Sequence, residues 1–227
     1  MKAISKLKSG KAVGLDSLPN EILKSGGSIL VPILQKLFNL VFTSGIYPSK
    51  WSSVYLCPIF KSSDPSKPEN YRGIAINSCI KKLFNSILNK RLDKYLEKHN
   101  IINPCQIGFT SKSRTSDHMF VLKTLIYKYN SGKGGKLFAC FVDFKKAFDK
   151  VIHSGIKYKL LKYNISGHFY KILSDMYSKS QLCVKRGNYL TPNFNSSVGV
   201  GQGDALNPNL FKIFINDLPN IFKHEML

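Results

Sequence analysis

SVYLCPIFKSSDPSKPENYRGIAI, residues 53–76, is the stretch that decides the fold class. Its first eight residues form a short apolar run rich in β-branched and aromatic side chains, which predicts a strand over 53–60. Residues 61–70 are turn chemistry, with Pro65, Pro68 and Asp64. YRGIAI predicts a second strand over 71–76, so the whole stretch reads as a hairpin. Helical periodicity flanks it. Upstream, 9–20 reads as a loop, and Ile29, Leu30, Ile33, Leu34, Leu37, Phe38 and Val41 give an amphipathic helix over 28–43. Downstream, Leu83, Phe84, Ile87, Leu88, Leu92, Tyr95 and Leu96 line one side of a helix over 81–98.

Further along, 104–116 reads as a loop rich in Ser, Thr and basic residues. Ser116 or Asp117 is placed to cap a helix at about 118–129. A flexible loop is expected at 131–136. LFACFVD, 137–143, is a continuous apolar run ending on a carboxylate, which predicts a buried strand. Helices are expected at 154–164 and 168–178. A strand pair is expected over 181–195, turning at Arg186-Gly187-Asn188. After a Gly-rich turn at 198–204, Asn207-Pro208 opens another helix. Strands and helices mix without regular βαβ alternation and no repeat is visible, so the fold class is α+β.

Charge narrows the function. The 227 residues hold 34 Lys and Arg against 13 Asp and Glu, a formal net charge of +21. Such a surplus repels itself unless a polyanion offsets it, and phosphate contacts also release counterions. The basic residues are spread along the chain and form no basic amphipathic helix, which favours nucleic acid over a membrane surface. A hydrophobic share of 43% excludes a disordered tail. Five cysteines, an odd number with no C-x-x-C pair, read as reduced thiols and not as a disulfide framework or zinc site. The N-terminus lacks a secretory apolar region, and no run of about 18 apolar residues is seen, so an intracellular protein without a membrane span is expected.

Three segments carry chemistry. In FVDFKKAFD, 141–149, Asp143 ends the expected buried strand, where a carboxylate is costly unless paired or metal-bound. From the residues alone it reads equally as a metal ligand or a helix-capping aspartate. Asp149 reads as a surface or first-turn residue. In GVGQGDALNPNLF, 199–211, three glycines permit close backbone approach to a flat or phosphate-bearing ligand. Gln202 between them can read a base or sugar edge, and Asp204 reads as a solvated turn residue. On the hairpin, Lys61 and Arg72 could clamp a triphosphate, one as a point charge and the other as a bidentate fork.

These segments, with KSGKAVGLDSLPNEILK, KKLFNSILNKRL and QIGFTSKSRTSDHMFVLKTLI, follow the order of blocks in reverse transcriptases of non-LTR (LINE-like) retrotransposons, and the chain resembles that family over essentially its whole length. The resemblance implies a right-hand polymerase fold: a block preceding the fingers at 1–50, then fingers and a partial palm at 51–227, with an incomplete palm sheet and no thumb. It implies RNA-directed DNA synthesis on an RNA template with a DNA primer and dNTPs. Two Mg²⁺ (or Mn²⁺) ions would serve in-line displacement. By carry-over, Asp143 and the carbonyl of Phe144 are metal ligands, and Asp143 is the catalytic aspartate. Phe148 is the bulky residue that excludes a ribose 2′-OH. Lys61 and Arg72 hold the triphosphate, and Gln202 and Gly203 lie beside the incoming nucleotide.

Departures from the family pattern fall at Thr110, Gly201, Ala205 and Asn207, and together imply relaxed selection. The family's aromatic-x-Asp-Asp turn, expected soon after residue 217, is not found before Leu227. The chain alone is therefore expected to be inactive or nearly so. The alternatives are a non-catalytic nucleic-acid-binding remnant of a decayed element and a maturase-like RNA-binding relative.

Overall fold

The computed structural model describes residues 1–111, 113–130 and 135–221, so most of the loop expected at 131–136 lies outside the described residues. The hairpin forms as read. β1 (Ser53–Phe60) and β2 (Tyr71–Ile76) pair antiparallel, from Tyr55 opposite Ile76 to Phe60 opposite Tyr71. The Lys61 N–H donates to the Asn70 carbonyl at 2.9 Å and closes the ladder. Asp64 holds the turn by accepting from the Ser66 N–H and hydroxyl at 2.9 and 2.7 Å, an Asx turn of the kind its sequence offers.

β3 (Gln181–Arg186) lies parallel to β1 on its other edge, Ser53 opposite Gln181. β4 (Tyr189–Leu190) and β5 (Phe194–Asn195) both pair antiparallel with β3, the first across a turn where Gly187 adopts φ 60°. The strand order is β2-β1-β3-β4.

Helices accompany the sheet. They are α1 (Lys2–Ser5), α2 (Asn20–Ser44), α3 (Ser49–Ser52), α4 (Cys79–Lys98), α5 (Thr115–Asn130), α6 (His153–Lys162), α7 (Gly167–Ser178), α8 (Asn207–Phe214) and α9 (Leu218–Ile221). Ser78 caps α4, its hydroxyl accepting from the Lys81 N–H at 3.3 Å. Asp117 steadies the start of α5 by accepting from the Arg114 N–H at 2.8 Å. One core joins Phe38 of α2, Trp51 of α3, Phe84, Leu88 and Leu92 of α4, Ile172 and Leu173 of α7, and Leu210 and Ile213 of α8. Tyr47, Trp51, Phe38 and Phe84 meet there edge-on or tilted, with centroids 5.2 to 6.1 Å apart.

Two expectations need correction. An 18-residue window of α2 has mean hydropathy 1.3, so this helix is long and apolar enough to cross a membrane by length and composition, where the sequence reading expected no such segment. Its stripe of Leu34, Phe38 and Val41 packs into the shared core, and the helix breaks at Gly27 (φ 40°, ψ −123°). The second concerns 137–143, which forms no strand and is not buried. Phe138 and Phe141 are 89% and 82% exposed, and Asp143 is exposed. An apolar run becomes a strand only where another backbone answers its hydrogen bonds, and no described strand lies beside this one.

Candidate functional site

The loop after β5 docks on the free edge of β2. The Ala75 N–H donates to the Gln202 carbonyl at 3.0 Å, and Ile74 and Gln202 pair as a parallel bridge. Paired residues in a ladder point to the same side, and side chains alternate along each strand. Gln202 therefore shares a face with Ile74 and Arg72. Ile59 pairs with Arg72, and Lys61 follows two residues along, so Lys61 falls on that face too. The fold thus brings Lys61, Arg72 and Gln202 to one side of the sheet. Lys61 and Arg72 are exposed and Gln202 is half-buried.

The three glycines serve this docking, where the sequence reading assigned them to a ligand. A Cβ on Gly201 would stand 2.9 Å from the Ala75 Cβ. Gly203 adopts φ 115°, and its Cβ would meet the Ala75 carbonyl oxygen at 3.2 Å. Gly199 adopts φ 93° and lies against the Asp149 backbone. Gly199 and Gly203 let protein backbone approach protein backbone, and Gly201 makes room for the Ala75 side chain.

The same loop is tied to the segment that follows Asp143. The Val200 N–H donates to the Phe148 carbonyl at 2.9 Å and the Gly199 N–H to the Val151 carbonyl at 2.7 Å. His153, buried at the start of α6, places Nε2 2.8 Å from the Gly199 carbonyl. A carbonyl only accepts, so Nε2 carries the proton. Burial holds this imidazole below its usual range, opposed in part by the bond to Gly199. The Phe148 ring stacks on Phe211 (centroids 4.6 Å apart) and meets Phe109 edge-on at 5.7 Å, so both neighbours cover it.

Asp143 does not join this assembly. It lies exposed in the extended stretch, and Phe144 is 50% exposed. Among the described residues no three His, Cys, Asp or Glu side chains gather closely enough to hold a metal ion.

Sequence reading missed a buried polar cluster beneath the loop. Asp204 is buried, not a solvated turn residue, because the docked loop carries it under β2 and α4. Its carboxylate accepts from Asn85 Nδ2 at 2.7 Å, Asn77 Nδ2 at 3.3 Å and the Leu206 N–H at 3.0 Å. Asn85 in turn accepts from the Tyr47 hydroxyl at 3.3 Å. Lys81, one turn before Asn85 on α4, is also buried. Burial pushes its ammonium down to about 8, against the pull of Asp204. Tyr177 of α7 faces the same cluster, and burial and Asp204 both raise its phenol. Asn207 Nδ2 donates to the Gly201 carbonyl at 2.5 Å and closes the loop from below.

Residues 59–226 match the family described as reverse transcriptase (RNA-dependent DNA polymerase). The chain belongs to this family. Its relatives are named for mobile elements, and the resemblance to non-LTR retrotransposons holds. It is 28% identical over 96% of its length to a probable RNA-directed DNA polymerase from transposon BS of Drosophila melanogaster, covering 24% of that protein. It is 26% identical over 96% of its length to the RNA-directed DNA polymerase from mobile element jockey of Drosophila funebris, again covering 24%. A retrovirus-related Pol polyprotein from the type-1 retrotransposable element R2 of Popillia japonica is 30% identical over 77% of the chain. The chain thus spans about a quarter of the length of these curated relatives. Reverse transcriptases use divalent metal ions. The donors here, one exposed carboxylate on Asp143 and the carbonyl of Phe144, do not fit a two-ion site among the described residues.

Proposed function

We propose that this chain forms the nucleotide- and template-holding part of an RNA-directed DNA polymerase of a non-LTR retrotransposon, as fingers and a partial palm over 51–227 preceded by a block at 1–50. Lys61 and Arg72 hold the triphosphate of the incoming dNTP and Gln202 lies against its base or sugar. Gly203 keeps the loop pressed on β2, and Phe148 forms the aromatic wall behind it. RNA template and DNA primer lie along the basic surface, and the protein works inside the cell. The single observation that carries this reading is the common face of Lys61, Arg72 and Gln202, set by the bond from the Ala75 N–H to the Gln202 carbonyl. Nucleotidyl transfer is a property of the whole polymerase. With Asp143 exposed and, among the described residues, no group of three His, Cys, Asp or Glu gathered to hold a metal ion, this stretch is expected to bind nucleotide and template without incorporating.

The test is a titration of a fluorescent dNTP onto the chain bound to an RNA template with a DNA primer. Arg72→Ala removes charge-assisted bonds each worth about 1.5–3 kcal/mol, so nucleotide affinity falls roughly tenfold or more while primer–template affinity changes little. Primer–template binding itself weakens steeply with salt, as counterion release requires. Nucleotide affinity unchanged by Arg72→Ala and by Gln202→Ala would refute the assignment. Robust dNTP incorporation that Asp143→Asn abolishes would refute the claim of inactivity.

A further inference from the structure

The face opposite Lys61, Arg72 and Gln202 carries an exposed pair of rings at its far edge. Tyr55 lies opposite Cys183, and the Lys185 ammonium stands 4.9 Å over the Tyr55 ring, so Cys183 and Lys185 share the face of Lys61, Arg72 and Gln202. Leu182, Val184 and Arg186 alternate with them along β3 and leave from the other face. Tyr189 pairs with Arg186 and Phe194 with Leu182, so both rings lie on that other face too. Tyr189 is 70% exposed and Phe194 45%, and Arg186 is exposed beside Tyr189.

Charge favours a polyanion here. From Met176 to Gly203 the chain has no Asp or Glu, while Lys179, Lys185 and Arg186 fall within that stretch. Arg186 pairs with no carboxylate among the described residues. A second protein strand is a poor occupant. β4 and β5 have two residues each. Lys185 faces Leu190 but Leu182 faces Phe194, so the edge carries one extra residue, and Pro192 lies in the interruption. Such a broken edge offers no continuous ladder to another chain. Spacing points to a single strand over a duplex. Arg186 and Leu182 are four residues apart on β3, so Tyr189 and Phe194 stand about 13 Å apart. Bases in a duplex stack about 3.4 Å apart. Rings this far apart suit bases splayed from an extended strand, which offers its base faces to aromatic side chains.

We propose that Arg186, Tyr189 and Phe194 form a platform for single-stranded RNA, separate from the face of Lys61, Arg72 and Gln202. One base stacks on each ring, and the Arg186 guanidinium takes a phosphate beside Tyr189. The choice of RNA over DNA rests on the polymerase reading, in which the template is RNA; the platform itself does not depend on it. Because the sheet stands between the two faces, the RNA held here is a different segment from the one that faces the incoming nucleotide.

The probe is a fluorescent oligouridine of about 12 nucleotides, within the usual span of a single-strand site. Its anisotropy is followed on the chain at several salt concentrations, without primer or dNTP, so the outcome is separate from the Arg72→Ala nucleotide titration that tests the polymerase reading. Tyr189→Ala and Phe194→Leu are each expected to raise Kd about fivefold or more with the salt dependence unchanged. Tyr189→Phe keeps the ring and the affinity. Arg186→Gln is expected to flatten the salt slope by about 0.7, the share of one phosphate on a single strand. Tyr158→Ala, at a 64% exposed tyrosine on α6, leaves binding unchanged. Circular dichroism checks the fold of each variant. Unchanged affinity in either ring variant, an equal loss in Tyr158→Ala, or duplex RNA equally sensitive to Tyr189→Ala would overturn the platform. So would a loss of dNTP affinity in Tyr189→Ala as large as its loss of RNA affinity. Tighter binding of oligodeoxythymidine than of oligouridine would overturn the choice of RNA.

Discussion

Replacing Asp204 by alanine is expected to be among the most damaging single changes on the loop. The carboxylate is buried and accepts three N–H groups, from Asn85, Asn77 and Leu206, at 2.7, 3.3 and 3.0 Å. Alanine strips the acceptor from three donors and removes the negative charge that favours the buried Lys81 ammonium. Removing one partner of a buried charged network costs about 3–5 kcal/mol. In a chain of this size each kcal/mol lowers Tm by about 2–4 °C, so the expected drop is roughly 6–20 °C. Asp204→Asn keeps the shape and one acceptor oxygen, and is expected to cost about 1–3 kcal/mol. Urea unfolding followed by circular dichroism reads both. The cycle with Lys81→Met isolates the coupling, since the double variant no longer strands a cation. It is expected to cost at least about 1 kcal/mol less than the sum of the single changes. The refuting result is Asp204→Ala within about 0.5 kcal/mol of the parent, which is how a solvated turn residue behaves.

Two further perturbations test the same architecture. Burial places Lys81 at about 8 in the folded chain against 10.5 ordinarily. Between those values the unfolded chain binds the extra proton, so stability rises with pH from about 8 to about 10.5, and the cost of the buried cation is fully present below that window. Unfolding free energies at pH 7, 8, 9 and 10 are therefore expected to converge with those of Lys81→Met at the alkaline end. Parallel curves would contradict the burial of this ammonium. Gly203→Ala puts a Cβ at φ 115° and 3.2 Å from the Ala75 carbonyl oxygen, a strain of about 1–3 kcal/mol. It is expected to break the Ala75–Gln202 bond, seen as faster hydrogen exchange at the Ala75 amide, and to weaken nucleotide binding with it. An unchanged amide would place the loop's anchorage elsewhere.

The parts of the fold that were legible in the sequence are those set by local pattern. β1 and β2 begin and end where the apolar runs do, because Pro65, Pro68 and Asp64 terminate them chemically. The helix read over 81–98 is α4 with two residues added at its start, and those read over 154–164 and 168–178 are α6 and α7. α2 starts eight residues earlier than its read start, since periodicity registers only the regular part beyond the break at Gly27. The reading failed where the outcome depends on distant partners. The apolar run at 137–143 has the composition of a buried strand, but pairing is not encoded in one strand. Asp204 resembles any turn aspartate until helix α4, 119 residues earlier, supplies Asn85. One signal was available. Lys81 and Asn85 fall at helical spacing with Leu88, Leu92 and Leu96, so two polar residues stand in the stripe that the helix buries.

That stripe carries the residues that hold the loop beneath the face of Lys61, Arg72 and Gln202. The loop carrying Gln202 is fastened at five residues: Gly199 by His153 and Val151, Val200 by Phe148, Gly201 by Asn207, Gln202 by Ala75, and Asp204 by Asn77 and Asn85. Fixing the backbone on both sides of one residue settles which way its side chain leaves the sheet, and a polar side chain held ready to bind has less entropy to lose on binding. The buried Asp204 carboxylate therefore acts on the opposite face of the sheet through backbone geometry, without contact. Nothing comparable fastens Asp143. Among the described residues its stretch meets the loop from Phe148 onward, through the Phe148 and Val151 carbonyls, the Ile152–Val198 bridge and His153. The face that Lys61, Arg72 and Gln202 share is thus built by residues within the described fold.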